Sequence, residues 1–119
     1  MAFENLGKTI TLAAAADLSS YQYRFVKLSA GTAALCGDGQ DGIGVLQNDP
    51  ADGYAAEVAI MAVCKVLSEA SVTKGDHVAS STTGRIKTTT SANDDILGIA
   101  LETGGAGELV SILLAQSNL

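Results

Sequence analysis

The sequence predicts an all-β protein: a small pseudo-duplicated β-barrel or β-sandwich with at most one short helix and an N-terminal arm. Three observations carry this prediction. Thirteen glycines punctuate the 119 residues, short apolar runs lie between them, and the order of these runs occurs twice along the chain. Short β-branched runs bounded by glycine-bearing turns are typical of barrels and sandwiches.

The first predicted strand ends an N-terminal segment, residues 1–12, which forms an arm or the first strand of the domain. Thr9–Leu12 alternates polar and apolar residues, which is the period of a half-buried strand. The helical candidate follows at residues 13–23, where Asp17 or Ser19 caps a short turn. We expect a single short helix or a 3₁₀ turn there.

An internal repeat organises the rest of the chain, residues 13–119, into a single β domain of two similar units, at about residues 24–62 and 76–114. Each unit is predicted to contain a strand, a turn, a strand, a loop, a strand, a loop and a strand. Four pairs of residues hold a nearly constant separation: Val26 and Val78 (52), Gly31 and Gly84 (53), Gly44 and Gly98 (54), Ile60 and Ile112 (52).

Turns and one long strand complete the predicted elements. The stretch 55–66 is the longest apolar run and predicts a long or bent strand. Asp49–Gly53 predicts a turn, because Pro50 presets φ and Gly53 supplies a left-handed position. Further turns are predicted at residues 73–76 and 104–107.

The charge balance excludes broad classes of partner. Thirteen acidic and seven basic side chains give a net charge of -6. Such a chain is repelled by nucleic-acid phosphate and by anionic membranes, so we expect neither as a partner. Charged residues make up only 17% of the chain, which indicates that part of the surface is covered by further copies or by another protein.

The cysteine content and the N-terminus suggest a reducing compartment. Cys36 and Cys64 are too few for a disulfide framework, so we expect free thiols. The chain begins without the basic region of a signal peptide and contains no run of about 20 apolar residues. We therefore expect the protein to be made in the cytoplasm.

Two motifs resemble ligand sites and are better interpreted as loops. Residues 37–42 match G-x-G-x-x-G, but a strand-like segment follows where a dinucleotide site needs a helix. Asp38 and Asp41 in the same stretch could supply oxygen ligands for calcium, but the segment lacks the alternating donors and the final glutamate of a calcium loop. We expect no cofactor and no metal.

The sequence offers no defensible catalytic group. His77 is the only histidine, and it has no zinc-ligand partner at a suitable spacing. A thiol nucleophile, Cys36 or Cys64, would need His77 as its activating neighbour. Cys64 lies in an apolar run, where a thiol packs as a small hydrophobic group. We expect no enzymatic activity.

Three stretches, in this order and spacing, carry a resemblance to a known family. They are residues 14–28 (AAADLSSYQYRFVKL), residues 42–59 (GIGVLQNDPADGYAAEVA), and residues 72–78 (VTKGDHV) with Gly84-Arg85 and Ile96-Leu97-Gly98-Ile99-Ala100. With them the chain resembles the capsid cement, or head decoration, proteins of tailed bacteriophages.

The resemblance implies a structural virion protein. Such proteins bind the outer surface of an expanded icosahedral capsid, commonly as homotrimers, and clamp neighbouring subunits of the major capsid protein. Assembly would take place in the host cytoplasm.

Six residues are candidates for the interface with the capsid or with further copies. An apolar arm can add a strand to the edge of a partner's sheet, and aromatic residues concentrate at interface hot spots. The alternatives are pairing of the arm within its own domain and packing of the aromatics in the core. The candidates are Phe3, Leu6, Ile10, Leu12, Tyr21 and Tyr23.

Two other functions stay open at this stage. One is a small β-barrel module that binds a sugar or a peptide. The other is a different virion component, such as a tail or fibre subunit.

Overall fold

The computed structural model describes residues 5–89 and 93–118, and their regular structure consists of β-strands. The predicted all-β class is confirmed. In chain order the strands are β1 Asn5–Ala13, β2 Phe25–Ser29, β3 Thr32–Leu35, β4 Gly44–Leu46, β5 Ala55–Leu67, β6 His77–Ser80, β7 Ile86–Thr88, β8 Asp95–Ala100 and β9 Leu109–Asn118.

The segment 14–24 forms turns instead of the helix considered above. The backbone N–H of Tyr21 donates to the carbonyl of Leu18 at 3.0 Å, which closes a single turn. The carboxylate of Asp17 accepts from the N–H of Ser19 at 3.0 Å. Within the described ranges there is no helix long and apolar enough to cross a membrane.

The long strand β5 joins two five-stranded antiparallel halves. The strand order is β3-β2-β4-β5-β9-β8-β6-β7, and β1 pairs with β5 as well. Strand β1 pairs with β5 between residues 55 and 63, β4 pairs with residues 58 and 59, and β9 pairs with residues 63–67. We call β1–β4 with residues 55–59 the N-terminal half, and residues 63–67 with β6–β9 the C-terminal half.

The two halves repeat the same strand pairing. Val26 pairs with Gly44 in one half, and Val78 pairs with Gly98 in the other. The turns repeat as well: Ala14 N donates to Tyr54 O at 2.8 Å, and 54 residues later Ser68 N donates to Glu108 O at 2.9 Å. Two equivalent parallel bridges, Ala14 to Ala33 and Ser68 to Ile86, link the end of the first strand of each half to its third strand.

The structure corrects two details of the repeat. Leu46 pairs with Val58, and Ala100 pairs with Ile112, so the counterpart of Ile112 is Val58 and not Ile60. The first strand, which the predicted repeat leaves outside both units, also has a counterpart, because Leu12 pairs with Ala56 as Val66 pairs with Val110. The sequence hides this second match, since residues 9–13 and 63–67 share no identical residue.

One glycine in each half is required by close packing between strands. A methyl group on Gly44 would collide with the backbone carbonyl of Ala59, and one on Gly98 would lie 2.5 Å from the carbonyl oxygen of Leu113. Ala59 and Leu113 occupy equivalent positions. The repeated Gly44 and Gly98 therefore let β4 and β8 approach their neighbouring strands closely.

The apolar core consists of two clusters. One lies in the N-terminal half and includes Leu18, Val26, Leu46 and Val58. The other fills the C-terminal half and also takes in four residues of the N-terminal half: Phe25, Cys36, Val45 and Ala59. One face of the N-terminal half is therefore buried against the C-terminal half.

Candidate interface surfaces

The predicted arm is, where the structure describes it, an integral strand. Phe3 lies outside the described residues. The backbone of Leu6 pairs with Ala62 of β5. Ile10 and Leu12 are half-buried and pack against the core of the N-terminal half. The role of these residues in an interface stays a prediction, and β1 adds its strand to this chain's own sheet.

The two candidate tyrosines are half-buried and lie beside cations. Tyr21 packs against the N-terminal core, and the guanidinium of Arg24 lies 4.9 Å from the centre of its ring. The ammonium of Lys65 lies 5.0 Å from the ring centre of Tyr23. Such cation–π contacts hold both rings in place.

Tyr23 adopts a backbone conformation that is uncommon for a residue with a side chain. Its φ is 64°, and the equivalent residue of the C-terminal half, Gly75, has a φ of 93°. The two residues donate their N–H groups to equivalent carbonyls, Tyr23 to Leu46 O and Gly75 to Ala100 O, each at 2.8 Å. The carbonyl of Tyr23 also accepts from Leu67 N at 2.9 Å, so several bonds fix this conformation.

The groups considered for catalysis differ in their exposure. Cys36 and Cys64 are free thiols, and both are fully buried. Burial raises the pKa of the Cys36 thiol, which disfavours the reactive thiolate. His77 is an exposed residue at the start of β6.

The glycine-rich segment 37–42 is a loop between β3 and β4 that forms hydrogen bonds with the C-terminal half. The N–H of Gly39 donates to Ser80 O at 2.9 Å, and the carbonyl of Gly39 accepts from Asp95 N at 3.0 Å. Strand β4 follows the loop, so the helix of a dinucleotide site is absent from this position. The part of the chain that the structure describes contains no cluster of metal-binding side chains.

An ion-pair network reinforces this connection. The ammonium of Lys87 lies 2.7 Å from the carboxylate of Asp38 and 3.1 Å from that of Asp94. The hydrogen bond to Asp38 raises the pKa of Lys87 above its usual value. A hydrogen bond from Thr89, 2.6 Å long, lowers the pKa of Asp94, and Lys87 lowers it further.

The lowered pKa of Asp94 predicts a pH-dependent contribution to stability. The contribution is present above the usual value of 3.8 and is lost as the pH falls through the lower pKa of the folded state. Asp94→Asn should lower the free energy of unfolding by about 1 kcal/mol at neutral pH, and the deficit should shrink below about pH 4. Urea titrations over a pH series check this, and a deficit that is the same at every pH would contradict it.

Among the residues whose exposure the structure describes, five large apolar side chains are exposed, and none of them is one of the six interface candidates named above. They lie on strands or turns. They are Leu28 (56%), Tyr54 (69%), Met61 (58%), Leu109 (37%) and Leu113 (39%). Exposed apolar groups of this size are candidates for contacts with other proteins.

A small cleft lies where the two halves meet. Its volume is about 110 Å³, and the side chains of Phe25, Ile43, Ile60, Leu97 and Leu114 line it. Sites for sugars or drug-sized ligands are typically about 300–1,000 Å³ and contain several polar groups. This cleft is too small for such a ligand.

Comparison with known proteins finds a solved structure of the same fold. No family model matches the sequence, and no curated protein matches it either. Among solved structures, the head fibre gp8.5 N base of bacteriophage phi29 is similar, with a TM-score of 0.75 and 20% sequence identity. The alignment covers 94% of this chain and 98% of the phi29 chain, so the two proteins share one fold over nearly their whole lengths.

Proposed function

We propose that this chain is a structural protein of a bacteriophage virion that binds the outer surface of the expanded head and stabilises it. The observation that carries the proposal is the similarity to the phi29 head fibre base over 94% of the chain. The resemblance of the sequence to head decoration proteins supports the same location. The partner is the major capsid protein, and the protein acts as a homotrimer without a catalytic step or a cofactor.

The charge of the chain supports an outward location. A net charge of -6 disfavours contact with packaged DNA, which is itself strongly negative. Many copies bound across a shell also add weak contacts into a large total effect, because multivalent attachment multiplies modest affinities. The proposal therefore needs no large single interface.

A second candidate function is favoured by the same similarity. The phi29 protein is the base of a head fibre, and this chain would then attach a fibre to the head without clamping capsid subunits. The two functions predict different mechanical effects. A decoration protein raises the temperature at which heads break, whereas a fibre base binds and leaves that temperature unchanged.

Co-sedimentation with heads, followed by heating, tests the proposal. Expanded heads assembled without this protein are mixed with the purified chain, and bound protein is measured across a concentration series. The bound heads are then heated, and DNA release is followed with a dye. Unexpanded heads serve as the matched control for a surface that appears only on expansion.

We expect saturable binding to expanded heads and a raised disruption temperature. Binding without a raised temperature would favour the fibre base. No binding by folded protein would contradict both functions, and a glycan array would then test the ligand-binding alternative.

A further inference from the structure

The two halves contact each other through surfaces that are not symmetric. One row of side chains runs across three neighbouring strands of the N-terminal half, and all three side chains are fully buried. They are Phe25 on β2, Val45 on β4 and Ala59 on β5. They belong to the core cluster of the C-terminal half, which covers them.

The equivalent row of the C-terminal half is open. Strand pairing aligns its three members with the buried row in the same order: His77 on β6, Ile99 on β8 and Leu113 on β9. His77 is exposed, Ile99 is half-buried and Leu113 is 39% exposed. We call these three residues the open row.

The turn between β6 and β7 packs against the first residue of the buried row, Phe25. The carbonyl of Gly84 in this turn accepts from the N–H of Phe25 at 2.7 Å. A methyl group added to Gly84 would lie 2.6 Å from the side chain of Leu35 and 2.9 Å from Phe25 O. Arg24 extends the contact by donating from Nη1 to Thr83 O at 3.1 Å.

The equivalent turn of the N-terminal half, between β2 and β3, is open at its glycine. Gly31 corresponds to Gly84, and a methyl group added to Gly31 would meet no atom within 4 Å. Leu28 corresponds to Ser80, because Leu28 pairs with Ala33 as Ser80 pairs with Ile86. Ser80 is fully buried, and Leu28 is 56% exposed.

Both partners of the internal contact, a turn and a row, therefore occur a second time in exposed form. The exposed turn is β2–β3 of the N-terminal half, and the exposed row is the open row of the C-terminal half. We propose that the β2–β3 turn of a second copy, with its Leu28, covers the open row and reproduces the contact that the β6–β7 turn makes within the chain. The interface is head-to-tail, so every copy offers one turn and one row.

Head-to-tail contacts close into rings when the rotation between copies allows it. This inference deepens the proposed function, because it supplies the contact that would hold copies together on the head. It rests on the repeat alone, however, and self-association can fail or succeed independently of binding to heads.

A matched pair of substitutions on β9 tests the open row. Leu113→Glu places a charge in the row, while Leu109→Glu places the same charge at a leucine of similar exposure, 37% against 39%. The counterpart of Leu109 is Ala55, an exposed residue, so the repeat puts Leu109 outside the contact. Both side chains are exposed in one copy, so both variants should fold, which circular dichroism and thermal melting check.

Light scattering coupled to size-exclusion chromatography gives the mass of each protein over a concentration series. We expect the wild type and Leu109→Glu to form oligomers. Leu113→Glu should raise the dissociation constant by about ten-fold or more. A monomeric wild type at millimolar concentration, or equal effects of the two variants, would overturn the proposal.

Mixing two defective proteins tests the head-to-tail geometry. Leu28→Glu breaks the turn and Leu113→Glu breaks the row, so neither variant should associate alone. Mixed together, they still share one intact contact, and a 1:1 heterodimer that grows no further is expected. A mixture that stays monomeric would overturn the head-to-tail arrangement, and the head-binding result would still stand or fall on its own measurement.

Discussion

Phe25→Ala is expected to lower the free energy of unfolding by about 4 kcal/mol, the usual loss when a fully buried phenylalanine is truncated. Phe25 has no exposed surface, and it lies in the row that the C-terminal half covers. The loss has two parts, the transfer of the ring to water and the cavity that remains. Chemical denaturation monitored by circular dichroism measures the change.

His77→Ala is the matched control, because His77 occupies the position of Phe25 in the other half. Since His77 is exposed in the single copy, its truncation should change the free energy of unfolding by less than about 0.5 kcal/mol in the monomer. Similar losses in the two variants would contradict the asymmetric contact between the halves.

Gly44→Ala is the second substitution with a large expected effect, a loss of about 3 kcal/mol from overpacking. The added methyl group would collide with the backbone carbonyl of Ala59, and a backbone atom cannot move aside as a side chain can. Strand β4 would have to separate from β5, where Val45 pairs with Ala59. Thermal and urea denaturation both measure this loss.

Gly37→Ala is the control for this substitution. Its added methyl group would meet the flexible end of Gln40, whose amide oxygen also accepts from Gly37 N at 2.8 Å. The expected loss is about 1 kcal/mol, chiefly that of one hydrogen bond. If Gly44→Ala were as mild as Gly37→Ala, the close approach of β4 and β5 would be wrong.

The fold class followed from the sequence because glycines mark many of the turns and recur at matching positions of the two units. Gly44 and Gly98 sit at equivalent close approaches, so their recurrence reported a real structural equivalence. The counterpart of β1 was missed because Ile10 and Leu12 are matched by Cys64 and Val66. Only the inward direction of the side chains is shared there, and a comparison of residue types does not detect it.

The candidate interface was harder to predict, since exposure depends on which half covers which. Phe25 and Leu113 occupy equivalent rows as apolar residues, and nothing in their local sequence distinguishes the covered row from the open one. The covered row is the one that joins the core cluster of the C-terminal half, and the β6–β7 turn contacts it at Phe25. With the repeat known, Leu28 in place of the buried Ser80 was the detectable signal.

Electron cryomicroscopy of expanded heads incubated with the purified chain would show whether and where the protein binds the head. We expect extra density on the outer surface, at repeated positions between capsid subunits, with copies joined by the β2–β3 turn of one and the open row of the next. Density inside the shell, density only at the tail, or bare heads at saturating concentrations of folded protein would contradict this expectation.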